Sequence, residues 1–126
     1  MSEYSIRNFA MADYEDAVSL WRMTEGICLT YSDSREGISF SLGRNPGLSF
    51  VATDRDRFIG AVLCGHDGRR GYLHHLAVAK PFRGKGIGRA LAEACLSALD
   101  KQAISKCNIF LFTGNQEGKD FWIHNN

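Results

Sequence analysis

Apolar and polar positions alternate from Tyr4 to Phe9, with Tyr4 and Ile6 separated by Ser5 and Arg7, and this predicts a first strand. The spacing then turns helical. Tyr14, Ala17, Val18 and Trp21 fall on one side of a helix that Asp13 can cap. Ile27 to Ser32 is irregular, after which Asp33 or Ser34 can cap a short helix through Ile38 and Leu42, closed by Gly43 and Asn45-Pro46-Gly47. Leu48 to Thr53 and Phe58 to Cys64 read as strands joined by the polar turn Asp54-Arg55-Asp56-Arg57. A second turn, Asp67 to Gly71, leads into the strand Tyr72 to Val78. Ile87, Ala90, Leu91, Ala94, Ala98 and Leu99 form the sheet-facing stripe of a long helix, with Lys85, Arg89, Glu93 and Lys101 toward water. A strand at Ile109 to Phe112 and a terminal helix, Glu117 to His124, anchored by Phe121 and Trp122, complete the pattern. Hairpin-length connections predict an antiparallel meander, and the crossover through the long helix makes the last strand pair parallel. The expected class is α+β: one mixed, mostly antiparallel sheet flanked by helices. Strand alternation places His74 on one face with Tyr72 and Leu76 and sends His75 to the other, and on one reading His75 packs beneath the long helix.

Length adds that residues 1–126 form a single domain, since a chain of 126 residues buries one core but not two. The formal charge of +1, with signs interspersed, gives no reason to expect nucleic acid or an anionic membrane as partner. No apolar run approaches the ~20 residues that span a bilayer, and Met1-Ser2-Glu3-Tyr4 lacks the features of a signal peptide, so a cytoplasmic protein is expected. Cys28, Cys64, Cys95 and Cys107 are scattered among apolar neighbours without paired spacing. They read as reduced thiols in or near the core rather than as disulfides or metal ligands.

The candidate chemistry lies in Arg83-Gly84-Lys85-Gly86-Ile87-Gly88-Arg89, between the last meander strand and the long helix. Its glycines let backbone approach a ligand, and the first amides of a helix carry a partial positive charge suited to phosphate. Arg83, Lys85 and Arg89 add cations. A P-loop is excluded because Gly84-Lys85 is followed by Gly86 rather than Ser or Thr. A dinucleotide fingerprint is excluded because no glycine stands three positions after Gly86 or Gly88. What remains is Leu76-Ala77-Val78, a four-residue connection containing Pro81, then Arg83-x-x-Gly86-x-Gly88 opening a helix.

That strand, loop and helix resemble the acetyl-CoA signature of the GNAT acyltransferase superfamily, and the predicted element order resembles its fold. The resemblance implies an N-acetyltransferase that moves an acetyl group from acetyl-CoA directly to a primary amine of a small molecule or a protein. It implies that the backbone of Leu76, Ala77 and Val78 pairs with the pantetheine arm. Gly84, Lys85, Gly86, Ile87, Gly88 and Arg89 would hold the pyrophosphate, with Arg83 beginning the loop and facing either the ligand or the protein. The amide near Leu76 would polarise the thioester carbonyl. Asn115 falls where relatives contact the cofactor, or is a plain turn asparagine.

Tyr72 to Val78 resembles the strand of serotonin N-acetyltransferase-type members that carries two proton-removing histidines, at the positions of Tyr72 and His74. His74 is therefore the candidate base, against the alternative of a half-buried strand residue. The last predicted strand carries no acid in Asn108 to Phe112. Trp122 stands where many relatives place an acidic tyrosine, leaving Tyr31 or Tyr72 as substitutes. The segment Ile27 to Glu36, with Tyr31, Asp33 and Glu36, corresponds to the acceptor-shaping region. Relatives continue with two further strands where this sequence ends at Asn126, so those strands are expected to be missing, by truncation or with another cover for the edge. An apolar edge at Ile109 to Phe112 predicts a homodimer through that region. A degenerate acyl-CoA-binding module without turnover is the alternative reading, and an unrelated nucleotide-phosphate binder a third.

Overall fold

The computed structural model describes residues 4–109. Its strands are β1 (Tyr4–Asn8), β2 (Phe50–Asp54), β3 (Arg57–His66), β4 (Arg70–Val78) and β5 (Lys106–Ile109). Its helices are α1 (Tyr14–Arg22), α2 (Arg35–Arg44) and α3 (Ile87–Lys101), with 3-10 turns at Met11–Asp13, Tyr31–Asp33 and Lys80–Phe82. The sheet runs in the order β1-β2-β3-β4-β5, antiparallel through β4 and parallel between β4 and β5. This is the expected mixed sheet. Asn115, the terminal helix and positions 110–112 of the predicted edge lie outside the described residues.

The two sheet faces bury separate cores, as period-2 alternation requires. On one face α3 packs Ile87, Leu91, Ala92, Cys95 and Leu99 against Leu48, Ala52, Ile59, Val62, Cys64 and Leu73. Ala92 and Cys95 extend the helical stripe read from the sequence. Gly71 permits the close approach there, since a Cβ at that position would collide with the Leu99 side chain. On the other face α1 and α2 bring Ala17, Val18, Leu20, Trp21 and Ile38 onto Val51, Ala61, Leu63 and Ala77. Each fully buried aliphatic side chain contributes about 1.5–3 kcal/mol.

Local chemistry moved three boundaries. Ser34, not Asp33, caps α2: its hydroxyl accepts from the Gly37 amide at 3.1 Å. Asp13 does not cap α1 with its side chain; it closes the preceding 3-10 turn by accepting from the Ala10 amide at 2.9 Å. The same carboxylate takes both guanidinium nitrogens of Arg7 at 2.8 Å, a forked pair that ties β1 to the entry of α1. Finally, β5 begins at Lys106, three residues before the predicted strand, because the chain turns sharply at Ala103 with φ 65° and can enter the sheet at once.

Asp13 is the buried member of its pair, and the Arg7 guanidinium holds its carboxyl below the ordinary carboxylate range. Its stabilising contribution is therefore complete above the ordinary carboxylate pKa and is lost as pH falls through the lower folded-state value. Urea titration of Asp13→Ala is expected to show a loss of about 2 kcal/mol at pH 7, and a smaller difference from wild type at pH 3.

Candidate active site

A bulge in β4 organises the site. Ala61 pairs with Ala77 and Leu63 with His74, so Val62 alone on β3 faces the two residues His75 and Leu76 on β4. The extra residue resets the alternation. Leu76 and Val78 consequently pack with Leu73 on the α3 face, while Ala77 joins the opposite core. The expected faces of the histidines are corrected accordingly: His74 does not share a face with Leu76, and His75 does not lie beneath α3. His75 instead meets Trp21 of α1, ring centroids 5.0 Å apart.

His75 is left-handed, with φ 55°, a conformation that costs a β-substituted residue of order 1–3 kcal/mol. Three contacts offset that cost. The Trp21 indole N–H donates to the His75 carbonyl at 2.8 Å, the two rings pack, and Nε2–H of His75 donates to Asp33 Oδ1 at 2.9 Å. Trp21 is fully buried and stacked on Phe9, so its indole has little freedom to move away.

Toward the glycine loop β4 keeps its antiparallel pairing with β3 at Ala61–Ala77 and Gly60–Val78, and among the described residues β5 pairs with Arg70 to Leu73. The chain then passes through the Lys80–Phe82 turn into the glycine loop. Gly84 and Gly86 have φ of 80° and 84°, and a Cβ at either would meet nothing within 4 Å among the described residues. The loop thus offers bare backbone, followed at once by the first amides of the fifteen-residue α3, with Ile87 buried as its anchor and Gly88 beside Val78. This donor set fits a pyrophosphate.

The cations are arranged differently from the sequence reading. Arg83 faces the protein, its Nε donating to the Val78 carbonyl at 2.8 Å. Lys85 stands over the Phe82 ring at 5.7 Å, and Arg57 covers the same ring at 5.1 Å. Arg57 is the first residue of β3, and no signal in Asp54-Arg55-Asp56-Arg57 marks it as a neighbour of the loop. Arg89 is exposed on the first turn of α3.

His74 is exposed on β4, yet the atoms packed around its ring push its pKa down; His75 lowers it further and Asp33 opposes the shift. Alternation from Leu73, which faces α3, places His74 on the Trp21 side of the strand. Tyr72 sits nearer the start of β4, where its hydroxyl donates to Asp67 Oδ2 at 2.9 Å. That bond raises the phenol pKa, while the Arg70 and Arg69 amides, with Tyr72, draw Asp67 down to about 2. Tyr31 is 89% exposed, and Asp33 is engaged with His75 and the Thr30 amide. Cys64 and Cys95 are buried free thiols, and burial pushes Cys107 up to about 12, so none of the three is a ready nucleophile. Among the described residues no cluster of His, Cys, Asp and Glu could hold a metal ion.

A mixed sheet flanked by helices, with a glycine loop opening onto a helix N-terminus, gives an α+β protein with a backbone anion cradle, and its relatives are acetyltransferases. Residues 5–122 match the Acetyltransferase (GNAT) family. An acetyltransferase of Pectobacterium atrosepticum is 34% identical over 101 residues, spanning 80% of this chain and 68% of that protein. The crystal structure of PaiA N-acetyltransferase from Thermoplasma acidophilum in complex with coenzyme A superimposes with a TM-score of 0.81, at 18% identity, covering 98% of this chain and 89% of that one. An acetyltransferase of the GNAT family from Staphylococcus aureus gives 0.83 at 16% identity, covering 98% and 82%. The chain belongs to the GNAT acetyltransferase family, a family of acyltransferases.

The left-handed cradle is directly testable. Gly86→Ala forces a side chain into φ 84° without creating a clash, and is expected to lower unfolding free energy by about 1–2 kcal/mol in chemical denaturation.

Proposed function

We propose that this protein transfers the acetyl group of acetyl-CoA to a primary amine of a small molecule or protein, with His74 as the base. The observation that carries this reading is the bulge at His75 and Leu76, two residues facing Val62 alone on β3, in the strand that leads to the glycine loop. Acetyl-CoA supplies the activated acyl group and the thiolate leaving group. The backbone of Leu76, Ala77 and Val78 would hold the pantetheine arm as a neighbouring strand. The Gly84 to Arg89 amides, with Lys85 and Arg89, would hold the pyrophosphate. Arg83 would contribute by fixing the loop through the Val78 carbonyl rather than by touching phosphate. Asn115 remains a candidate contact by resemblance.

The Leu76 N–H would polarise the thioester carbonyl, an effect worth about 3–4 kcal/mol per donor in other acyl-transfer sites. The acceptor amine, protonated in solution at neutral pH, must lose a proton before attack. His74 is suited to accept it, because its lowered pKa leaves the imidazole neutral at pH 7. Tyr72 is poorly placed to protonate the thiolate, since its hydroxyl is committed to Asp67 and its pKa is raised. Four free cysteines suit a reducing, cytoplasmic setting.

Thiol release from acetyl-CoA in the presence of an amine panel tests the activity. Acceleration by at least one amine, lysine peptide or polyamine is expected. Cofactor binding with no acceleration by any of them would favour the acyl-CoA-binding module. His74→Ala is expected to lower kcat by about 10²–10⁴-fold without weakening acetyl-CoA binding. The wild-type rate should hold as pH falls to the ordinary histidine pKa and decline only at lower pH, because the folded-state value lies below it. An unchanged kcat in the variant would remove His74 from the proton path.

A further inference from the structure

The carboxylate of Asp33 joins two parts of the molecule. Oδ2 accepts from the Thr30 amide at 2.9 Å and closes the 3-10 turn Tyr31–Asp33, while Oδ1 accepts from His75 at 2.9 Å. The Asp33 carbonyl accepts from the Tyr14 hydroxyl at 2.8 Å, so α1 braces the same turn. Asp33 and His75 are only 10% and 20% exposed in their side chains, which shields the link from solvent competition. His75 is the left-handed residue of the bulge, and the next amide along the chain is that of Leu76. Rotation of the His75 backbone out of φ 55° would turn that amide.

We propose that Asp33 is a positioning residue for acyl transfer: through His75 it holds the β4 bulge, so that the turn at Asp33, within the segment Ile27 to Glu36, and the Leu76 amide are set by one hydrogen-bonded network. The proposal rests on the reading that Leu76 polarises the thioester. It adds that the acceptor-side segment and the cofactor-side amide cannot move independently. An acceptor that orders the turn at Asp33 therefore also fixes the amide that activates the acyl group.

The test compares wild type, Asp33→Ala and Asp33→Asn. Asparagine can keep both contacts with the other His75 tautomer, its Oδ1 accepting from Thr30 and its NH2 donating to Nε2. Alanine keeps neither. Asp33→Ala is expected to lower kcat about 10- to 100-fold, with KM for acetyl-CoA changed less than about twofold. Asp33→Asn should recover most of the rate. Independently of turnover, the infrared carbonyl stretch of bound acetyl-CoA labelled with 13C at the carbonyl should be red-shifted in wild type and Asp33→Asn relative to free acetyl-CoA. That shift should be lost in Asp33→Ala.

A red shift that survives in Asp33→Ala overturns the positioning role while leaving Leu76 polarisation intact. No red shift in wild type overturns Leu76 polarisation itself, and the proposal with it. A lower melting temperature with both readouts unchanged marks the contact as structural only and also overturns the proposal. Should Asp33→Ala not fold, His75→Gly keeps the left-handed backbone without the ring and carries the same comparison.

Discussion

One extra residue in β4 decides how the rest of this molecule is used. Were the alternation of Tyr72, Leu73 and His74 to continue unbroken, His75 would enter the α3 core and Leu76 would leave it. With the bulge, Leu76 and Val78 anchor β4 under α3 and His75 turns to the other layer. A single backbone residue at φ 55° would not hold that arrangement unaided. The Trp21 indole, held by burial and by Phe9, supplies the fixed donor, and Asp33 supplies the acceptor for the ring. The strained residue and its clamp are thus parts of one construction, in which the α1–α2 layer sets the geometry of the strand that leads to the glycine loop.

That loop works from the other side of the sheet with simpler means. Gly84 and Gly86 adopt left-handed conformations that expose backbone without steric cost, and α3 follows with its first-turn amides. The side-chain cations have partners within the protein. Arg83 is drawn back onto the Val78 carbonyl, which ties the loop to the end of β4, while Lys85 and Arg57 share the Phe82 ring. On the proposed reading, with Lys85 and Arg89 in support, anion recognition would fall mainly to amides and to the helix terminus. These are fixed features of the backbone and lose less to solvent screening than long exposed side chains do.

Much of this was legible in the sequence, for reasons that differ element by element. The α3 stripe and the glycine loop could be read because their signals are local: helical spacing from Ile87 to Leu99, and glycines just before an N-terminus. The sheet order followed from connection lengths. The bulge was not legible, because nothing in Leu73-His74-His75-Leu76 states that two residues will face one across β3. That count is fixed by pairing with Ala61 and Leu63 and by a tryptophan more than fifty residues away in sequence. Reading the two histidines as alternating was reasonable for a regular strand and wrong for this one. Asp33 was visible as a cap or an acceptor contact, and only the fold joins it to His75. Arg57 was invisible for the same reason, since its partner Phe82 lies two strands further on.

The central claim is that the cofactor lies along β4 beyond the bulge and ends on the glycine loop. It is met most directly by titrating 15N-labelled protein with CoA and following backbone amide resonances. The account predicts that the largest changes fall on Leu76 to Val78 and on Gly84 to Arg89, with the β1–β2 pair little affected. Changes absent from both segments, or concentrated at another edge of the sheet, would contradict it.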